Sequence, residues 1–276
     1  MSAGQNGTMA HRQELESCLQ DLLRPELFKD YGPNGLQVEG RAEVHRLCTG
    51  VTASLAFIQA AVDAGADTLL VHHGLFWRGQ DGRLTGWLGE RVRWLMKHGI
   101  NLFAYHLPLD AHAELGNNAQ LGLRLGLLAE GRFGEQALGF IGRAGSPSAG
   151  MALNTLVATA GDVLARSITV VPGDGRPLRR VAWCTGGAQG YFEPAIAAGA
   201  DVFITGEISV PQAHLARETG VAFLACGHHA TERFGAQAVG QHVATQLGLD
   251  GSRRHALGWR IVDQRRGPGA GRPAAA

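Results

Sequence analysis

The sequence predicts an α/β protein of two similar halves with mainly parallel sheets, and three observations predict it. Short apolar runs alternate with stretches of helical periodicity, the pattern of βαβ units. Three of those runs close on polar clusters: His72-His73-Gly74, His106 leading to Asp110, and Gly227-His228-His229 leading to Glu232. The segment Ala61-Val-Asp-Ala-Gly-Ala-Asp67, followed by Thr68–Val71, is echoed by Ala195-Ile-Ala-Ala-Gly-Ala-Asp201, followed by Val202–Thr205.

Taken in order, residues 1–10 read as a disordered extension, with Met9 a possible alternative start. Leu15, Leu19, Leu22 and Leu23 recur at helical spacing and open the fold with an amphipathic helix. Tyr31-Gly-Pro-Asn-Gly35 is turn chemistry. Strands are expected at 47–51, 68–71 and 102–104, separated by helices at 55–64 and 89–98, with a further helix at 117–128. Residues 131–150 are Gly-rich and weakly patterned, which suits a crossing into a second unit. A helix is expected at 151–160, a turn at Pro172-Gly-Asp-Gly175, and strands at 180–184 and 221–225. The tail 265–276, rich in Arg, Gly, Pro and Ala, has nothing to pack and is expected to be disordered.

The echo implies duplication, although helix-to-strand turns favour Ala-Gly-Ala-Asp on their own account. Each copy is preceded by Cys-Thr-Gly, at Cys48–Gly50 and at Cys184–Gly186. Where the first copy has His72-His73 the second has Gly206-Glu207, so mainly the first carries histidines.

Composition narrows the function classes. In 276 residues, 25 Lys and Arg oppose 24 Asp and Glu for a net charge of +1, which disfavours a dedicated nucleic-acid binder. No apolar run reaches the ~20 residues of a membrane span. The polar start lacks a signal-peptide layout, so a cytoplasmic protein is expected. Cys18, Cys48, Cys184 and Cys226 form no C-x-x-C and read as reduced thiols.

The clusters carry the chemistry. Adjacent strand residues face opposite ways, but at a strand end turning into Gly74, His72 and His73 can splay around one cavity, each serving a different ion. His228 and Glu232, four apart, share one face if a helix starts after Gly227, near its positive end; helix capping is the structural alternative for Glu232. Pro108 is expected to keep the stretch between His106 and Asp110 extended, leaving Asp110 to ligate or to support a ligand. Asn117 and Asn118 read as helix caps. Three imidazoles and two carboxylates exceed one open catalytic site and suit two ions sharing a carboxylate. Nitrogen and oxygen ligands without thiolate fit Zn, Fe, Mn, Ni or Co. No Walker phosphate loop, H-E-x-x-H or G-x-S-x-G is present. The Thr185-Gly-Gly-Ala-Gln-Gly190 stretch reads as a tight strand-to-helix turn.

Several motifs in fixed order resemble one family. They are Asp30-Tyr-Gly-Pro-Asn-Gly-Leu-Gln-Val-Glu-Gly40, Val71-His-His-Gly-Leu-Phe-Trp77, His106-Leu-Pro-Leu-Asp110 with Glu114–Leu121, Trp183-Cys-Thr-Gly-Gly187, Ile204-Thr-Gly-Glu207 and Gly227-His-His-Ala-Thr-Glu-Arg233. Over residues 12–262 the chain resembles the short bacterial form of the GTP cyclohydrolase I type 2 homologues, the Nif-three-like dinuclear metal-centre hexameric proteins. The resemblance implies a discontinuous metal-binding domain (11–130 with 221–264) and an inserted second domain (131–220). It implies a toroidal homo-hexamer and two divalent ions per subunit held by His72, His73, Asp110, His228 and a bridging Glu232, with His106 as a proton-transfer residue. The function it implies is a metal-dependent hydrolase acting on a small molecule of the nucleotide class. The alternative is a non-catalytic metal-handling or regulatory ring.

Overall fold

The computed structural model describes residues 9–144, 150–249 and 259–261. Of the disorder expected at 1–10 and 265–276, residues 1–8 and 265–276 lie outside the described residues, whereas Ala10 is buried in a strand paired with Val44. Ala10 and His11 form β1, antiparallel to β3 (Glu43–Val44). Helix α1 (Arg12–Leu23) starts where the His11 ring accepts from the Gln13 N–H and Glu14 reaches back to the His11 N–H, a capping box. It buries the Leu15, Leu19 and Leu23 face. After β2 (Gly35–Val38) come β4 (Leu47–Thr52), α2 (Leu55–Asp63), β5 (Thr68–His73), α3 (Gly86–His98) and β6 (Asn101–Ala104). Ser54 caps α2 through the Phe57 N–H, and Gly99 at φ 62° closes α3.

Next follow α4 (Leu107–Ala111), α5 (Asn117–Arg124), β7 (Leu127–Phe133), β8 (Gly139–Ala144), α6 (Leu153–Leu164) and β9 (Thr169–Val171). The chain continues through β10 (Val181–Trp183), α7 (Phe192–Ala197), β11 (Val202–Thr205), α8 (Val210–Thr219), β12 (Ala222–Ala225), α9 (His228–Thr231), α10 (Gly235–Gln246) and β13 (Trp259–Ile261).

Internal contacts divide the chain into two compact units. The first comprises residues up to Pro25, Lys29–His106 and residues from Gly240 on; the second comprises Glu26–Phe28 and Leu107–Val239. The second is thus an insertion, beginning at Leu107 and ending at Val239, where the resemblance implied 131 and 220. The reason lies in strand pairing: β12 joins β11, not the sheet of the first unit.

The first unit has a sheet ordered β13-β4-β5-β6-β2, parallel except for β2. Phe57, Ile58, Leu88, Val92 and Leu95 of its helices cover Leu69, Val71 and Leu102 of its strands. The second unit has a mixed sheet, β7-β8-β10-β11-β12-β9, parallel only at β10-β11-β12. Its central strands are covered on both faces. Val181, Trp183, Ile204 and Leu224 enter one apolar cluster while Ala182, Phe203 and Phe223 enter another, the period of two expected of strands.

The duplication is visible in the register. Leu47 faces Thr68 and Val181 faces Val202, a constant shift of 134 positions (181 less 47, 202 less 68). Both copies use one device at the helix-to-strand turn. Asp67 Oδ2 accepts from the His45 and Arg46 N–H groups at 2.9 and 3.0 Å, and Asp201 Oδ2 from Arg179 and Arg180, both at 2.9 Å. The Cys-Thr-Gly match is not equivalent: in this register Cys184 corresponds to Gly50, two residues off.

Three elements differ from expectation. Residues 131–144 pair as the β7–β8 hairpin, with a register shift between Ala129 and Gly131 that blurs the alternation. Helix α5 stops at Arg124 because Gly126, at φ 68°, turns the chain into β7. Pro108 lies in the first turn of α4, where its missing N–H has no partner to lose.

Candidate metal centre

In the first unit, the β5–β6 ladder ends at Val71–Ala104 while the β4–β5 ladder runs on to Thr52–His73. His72 and His73 therefore sit at a frayed strand end, and their rings lie 4.5 Å apart. His72 is fully buried, with Nδ1 3.1 Å from the Tyr105 carbonyl oxygen. His73 Nδ1 lies 3.2 Å from Thr52 Oγ1.

His106 joins them, its ring 5.0 Å from His72 and 5.6 Å from His73. Ligand atoms of the three lie within 4.8 Å of one another. Asp30 holds His106: its Oδ1 is 2.7 Å from Nδ1, and its side chain is only 3% exposed. Asn34 braces the pair, accepting from the His106 N–H at 2.7 Å and donating to Asp30 Oδ2 at 2.9 Å.

Beside these rings lies a small cleft lined by Gly32, Pro33, Gln37, Gly74, Phe76 and Trp77 together with His72, Ala104 and His106. Trp77 meets His106 edge-on at 5.1 Å. Gln37 ties the cleft's two loops, donating to the Pro33 carbonyl and accepting from the Leu75 N–H, both at 2.8 Å.

In the second unit, Asp110 is buried on α4, and its Oδ1 accepts from Asn117 Nδ2 at 2.9 Å and from Thr185 Oγ1 at 3.2 Å. Asn117 and Asn118 are therefore braces for Asp110, not caps; Gly116 is the residue that precedes α5. The opposite ends of their amides accept from the Gly235 and Thr185 N–H groups, both at 2.8 Å. Buried Cys184 senses both acidic residues: burial above all, then Asp110 and, more weakly, Glu232 raise its pKa above the usual thiol range.

Gly227, at φ 93°, turns β12 into α9, which begins at His228. One turn later Glu232 is 2% exposed, with Oε1 3.2 Å from His228 Nε2, so the two share a face as expected. Helix α9 is only four residues long and Glu232 sits at its C-cap, so the expected placing at a positive helix end does not apply to it. His228 Nδ1 is 2.6 Å from Glu207 Oε1. The hydrogen bond to Glu232 is the main cause that pushes the His228 pKa up to about 9; burial opposes it and Glu207 adds to it. Glycines leave the space. A side chain at Gly186 would run into the Glu232 carboxylate, and a Cβ at Gly206 would lie 2.6 Å from His228 Cα.

Each of the four histidines thus has Nδ1 engaged: His72 by a carbonyl, His73 by a hydroxyl, and His106 and His228 by carboxylates. Such engagement orients each ring, as in sites where a hydrogen-bonded histidine binds a cation, and His228 turns Nε2 to the Glu232 carboxylate. Imidazole nitrogens and carboxylates without thiolate fit a divalent transition metal. Two residues that engage candidate histidines, Asp30 and Glu207, were quoted in the sequence motifs without a role. For Asp30 nothing in the sequence pointed to its partner, 76 residues away at His106. Glu207 had a signal, its position in the internal echo.

Among the described residues, no helix is long and apolar enough to cross a membrane. The Duf34/NIF3 (NGG1p interacting factor 3) family model matches residues 10–254. A "GTP cyclohydrolase 1 type 2 homolog" of Neisseria meningitidis serogroup A is 50% identical over 242 residues, covering 88% of this chain and 96% of that one. A relative of the same name from Pseudomonas aeruginosa is 48% identical over 81% of this chain and 88% of its own. Among solved structures, ybgI, described as of unknown function, superimposes with a TM-score of 0.84 at 40% identity, covering 92% of this chain and 98% of that one. TTHA1606 of Thermus thermophilus gives 0.80 at 32% identity, covering 94% and 100%. The chain belongs to the Duf34/NIF3 family.

Proposed function

We propose that the protein is a metal-dependent hydrolase in which His72, His73, Asp110, His228 and Glu232 would hold two divalent ions, the resemblance giving Glu232 the shared position. The reading rests on the family resemblance for the joint ligand set. The observation that carries it is the gathering of oriented imidazoles with a buried carboxylate: Nδ1 of His72, His73 and His228 is engaged, and His228 Nε2 faces Glu232 Oε1 at 3.2 Å. Bound ions of this kind supply Lewis acidity and lower the pKa of water toward 7.

The protein's own groups then divide the remaining work. His106 takes a proton at Nε2 while Asp30, at Nδ1, holds the ring's orientation and stabilises the imidazolium. Trp77 and Phe76 wall the cleft and exclude water from the reacting atoms. The resemblance further implies a toroidal hexamer in the cytoplasm.

Metal-reconstituted protein is to be assayed against a panel of purine and pyrimidine nucleotides. Turnover is expected to fall at least 10²-fold in His106→Ala, within the usual range for a general acid–base group, with metal content unchanged. Turnover that survives Glu232→Ala or His73→Ala at the wild-type rate would overturn the proposal. A second reading, non-catalytic metal handling or regulation, has one observation in its favour: Gln37, the cleft's amide, spends a donor on the Pro33 carbonyl and an acceptor on the Leu75 N–H, which leaves it half its capacity for reading a substrate. Absence of turnover across the panel, with full metal occupancy, would select it.

A further inference from the structure

We propose that Glu207 is the positioning residue of the metal centre in the second unit, occupying the duplicated position of His73. The inference rests on the metal reading above. The 134-residue register that equates Leu47 with Val181 and Thr68 with Val202 equates His73 with Glu207 and Thr52 with Gly186. In the first copy Thr52 and His73 are register partners, and the threonine hydroxyl engages His73 Nδ1. In the second copy the threonine position is glycine, and the histidine position is a carboxylate that engages His228 Nδ1 at 2.6 Å.

One strand-end position has therefore changed from imidazole to the group that orients an imidazole. The surroundings support that reading. Gly206, immediately before Glu207, donates its N–H to the Gly186 carbonyl at 2.8 Å, and Cys226 and Gly227 donate to Thr205 and Gly206 at 2.7 and 2.9 Å. This ladder fixes the Glu207 backbone against the start of α9. Gly187 lies beside the pair: a Cβ there would stand 3.4 Å from the His228 ring and 3.5 Å from Glu207 Oε2, ordinary contact distances. A carboxylate on Nδ1 fixes which ring nitrogen faces the cation and raises its basicity. Glu207 is 47% exposed, so its contribution is orientation at the site, not stability of the fold.

The test compares full-length wild type, Glu207→Gln and Glu207→Ala after reconstitution with Co²⁺ or Zn²⁺. Metal per chain is measured by mass spectrometry, affinity by chelator competition, and ligand field by the Co²⁺ absorption spectrum, with thermal unfolding to confirm folding. Expected are unchanged stoichiometry, an unchanged number of ligands in the Co²⁺ spectrum, and affinity weakened about 10- to 100-fold in Glu207→Ala. Glu207→Gln, whose amide oxygen can still accept from Nδ1–H, is expected to recover part of the loss. Affinity within twofold of wild type in both variants overturns the positioning role. Loss of an ion with an altered Co²⁺ spectrum overturns it differently, making Glu207 a direct ligand. Wild type that retains no metal overturns the metal reading itself, whatever the variants do.

Discussion

At Gly186 a methyl group would meet the Glu232 carboxylate, and φ of 72° already places the residue where L side chains are strained. Gly186→Ala therefore carries two separable costs. The backbone term is about 1–2 kcal/mol, the penalty of a left-handed conformation for a residue with a Cβ. The second is displacement of Glu232 from His228. Urea unfolding should show the first, and weaker metal retention on dialysis the second. Gly190→Ala, which would meet nothing within 4 Å and has no positive φ, should leave both near wild type. A Gly186→Ala protein as stable and as metal-retentive as wild type would show that the cradle yields freely. This residue was quoted in a motif from the sequence, but its role was invisible there. The clash partner lies 46 residues away, and only the folded turn brings the two together.

At the level of elements, the Asp67 and Asp201 devices do for each copy what a capping box does for a helix. Each carboxylate satisfies two successive N–H groups where the preceding loop enters the sheet. Asp67 is 5% exposed, whereas the Asp201 side chain is 15% exposed. Asp67→Ala is expected to cost about 2–3 kcal/mol by stranding two donors of charge-assisted bonds, and Asp201→Ala less, since water reaches its partners more easily. Equal losses in chemical denaturation would refute the ranking. The strands and helices around Asp67 were legible because buried parallel strands are continuous apolar runs and their helices are amphipathic. The β7–β8 hairpin was not, because an irregular register beside Gly131 breaks the period of two on which strand recognition depends. Pro108 misled for a related reason: proline restrains the residue before it, yet it is welcome in the first turn of a helix.

For the whole molecule, the candidate ligands come from both compact units: His72 and His73 from the first, and Asp110, His228 and Glu232 from the second. Metal that binds the native chain and not the unfolded one stabilises all of it by mass action, about 2.7 kcal/mol at a free concentration 100 times Kd. For a chain of this size that corresponds to a Tm rise of about 5–10 °C. Scanning calorimetry with excess Zn²⁺ or Co²⁺ and after chelation should show the difference, and a Tm indifferent to chelator would count against the proposed centre. The candidate ligands were readable from the sequence as three clusters at strand ends. Their braces were not: Asp30 and Thr185 meet their partners across 76 and 75 positions, and Asn117, seven from Asp110, sits where a helix cap is expected.

Strand β13 adds a last consequence. Residues 259–261 pair in parallel with Leu47–Thr49, so the sheet that displays His72 and His73 takes its edge strand from more than 200 positions downstream. On a ribosome the polypeptide emerges from its N-terminal end, at about 5–20 residues per second. The continuous insert, Leu107–Val239, is available to fold while the outer unit still lacks that edge. Vectorial synthesis thus leaves the imidazole-rich sheet to be completed last, after Asp110, His228 and Glu232 have already left the exit tunnel.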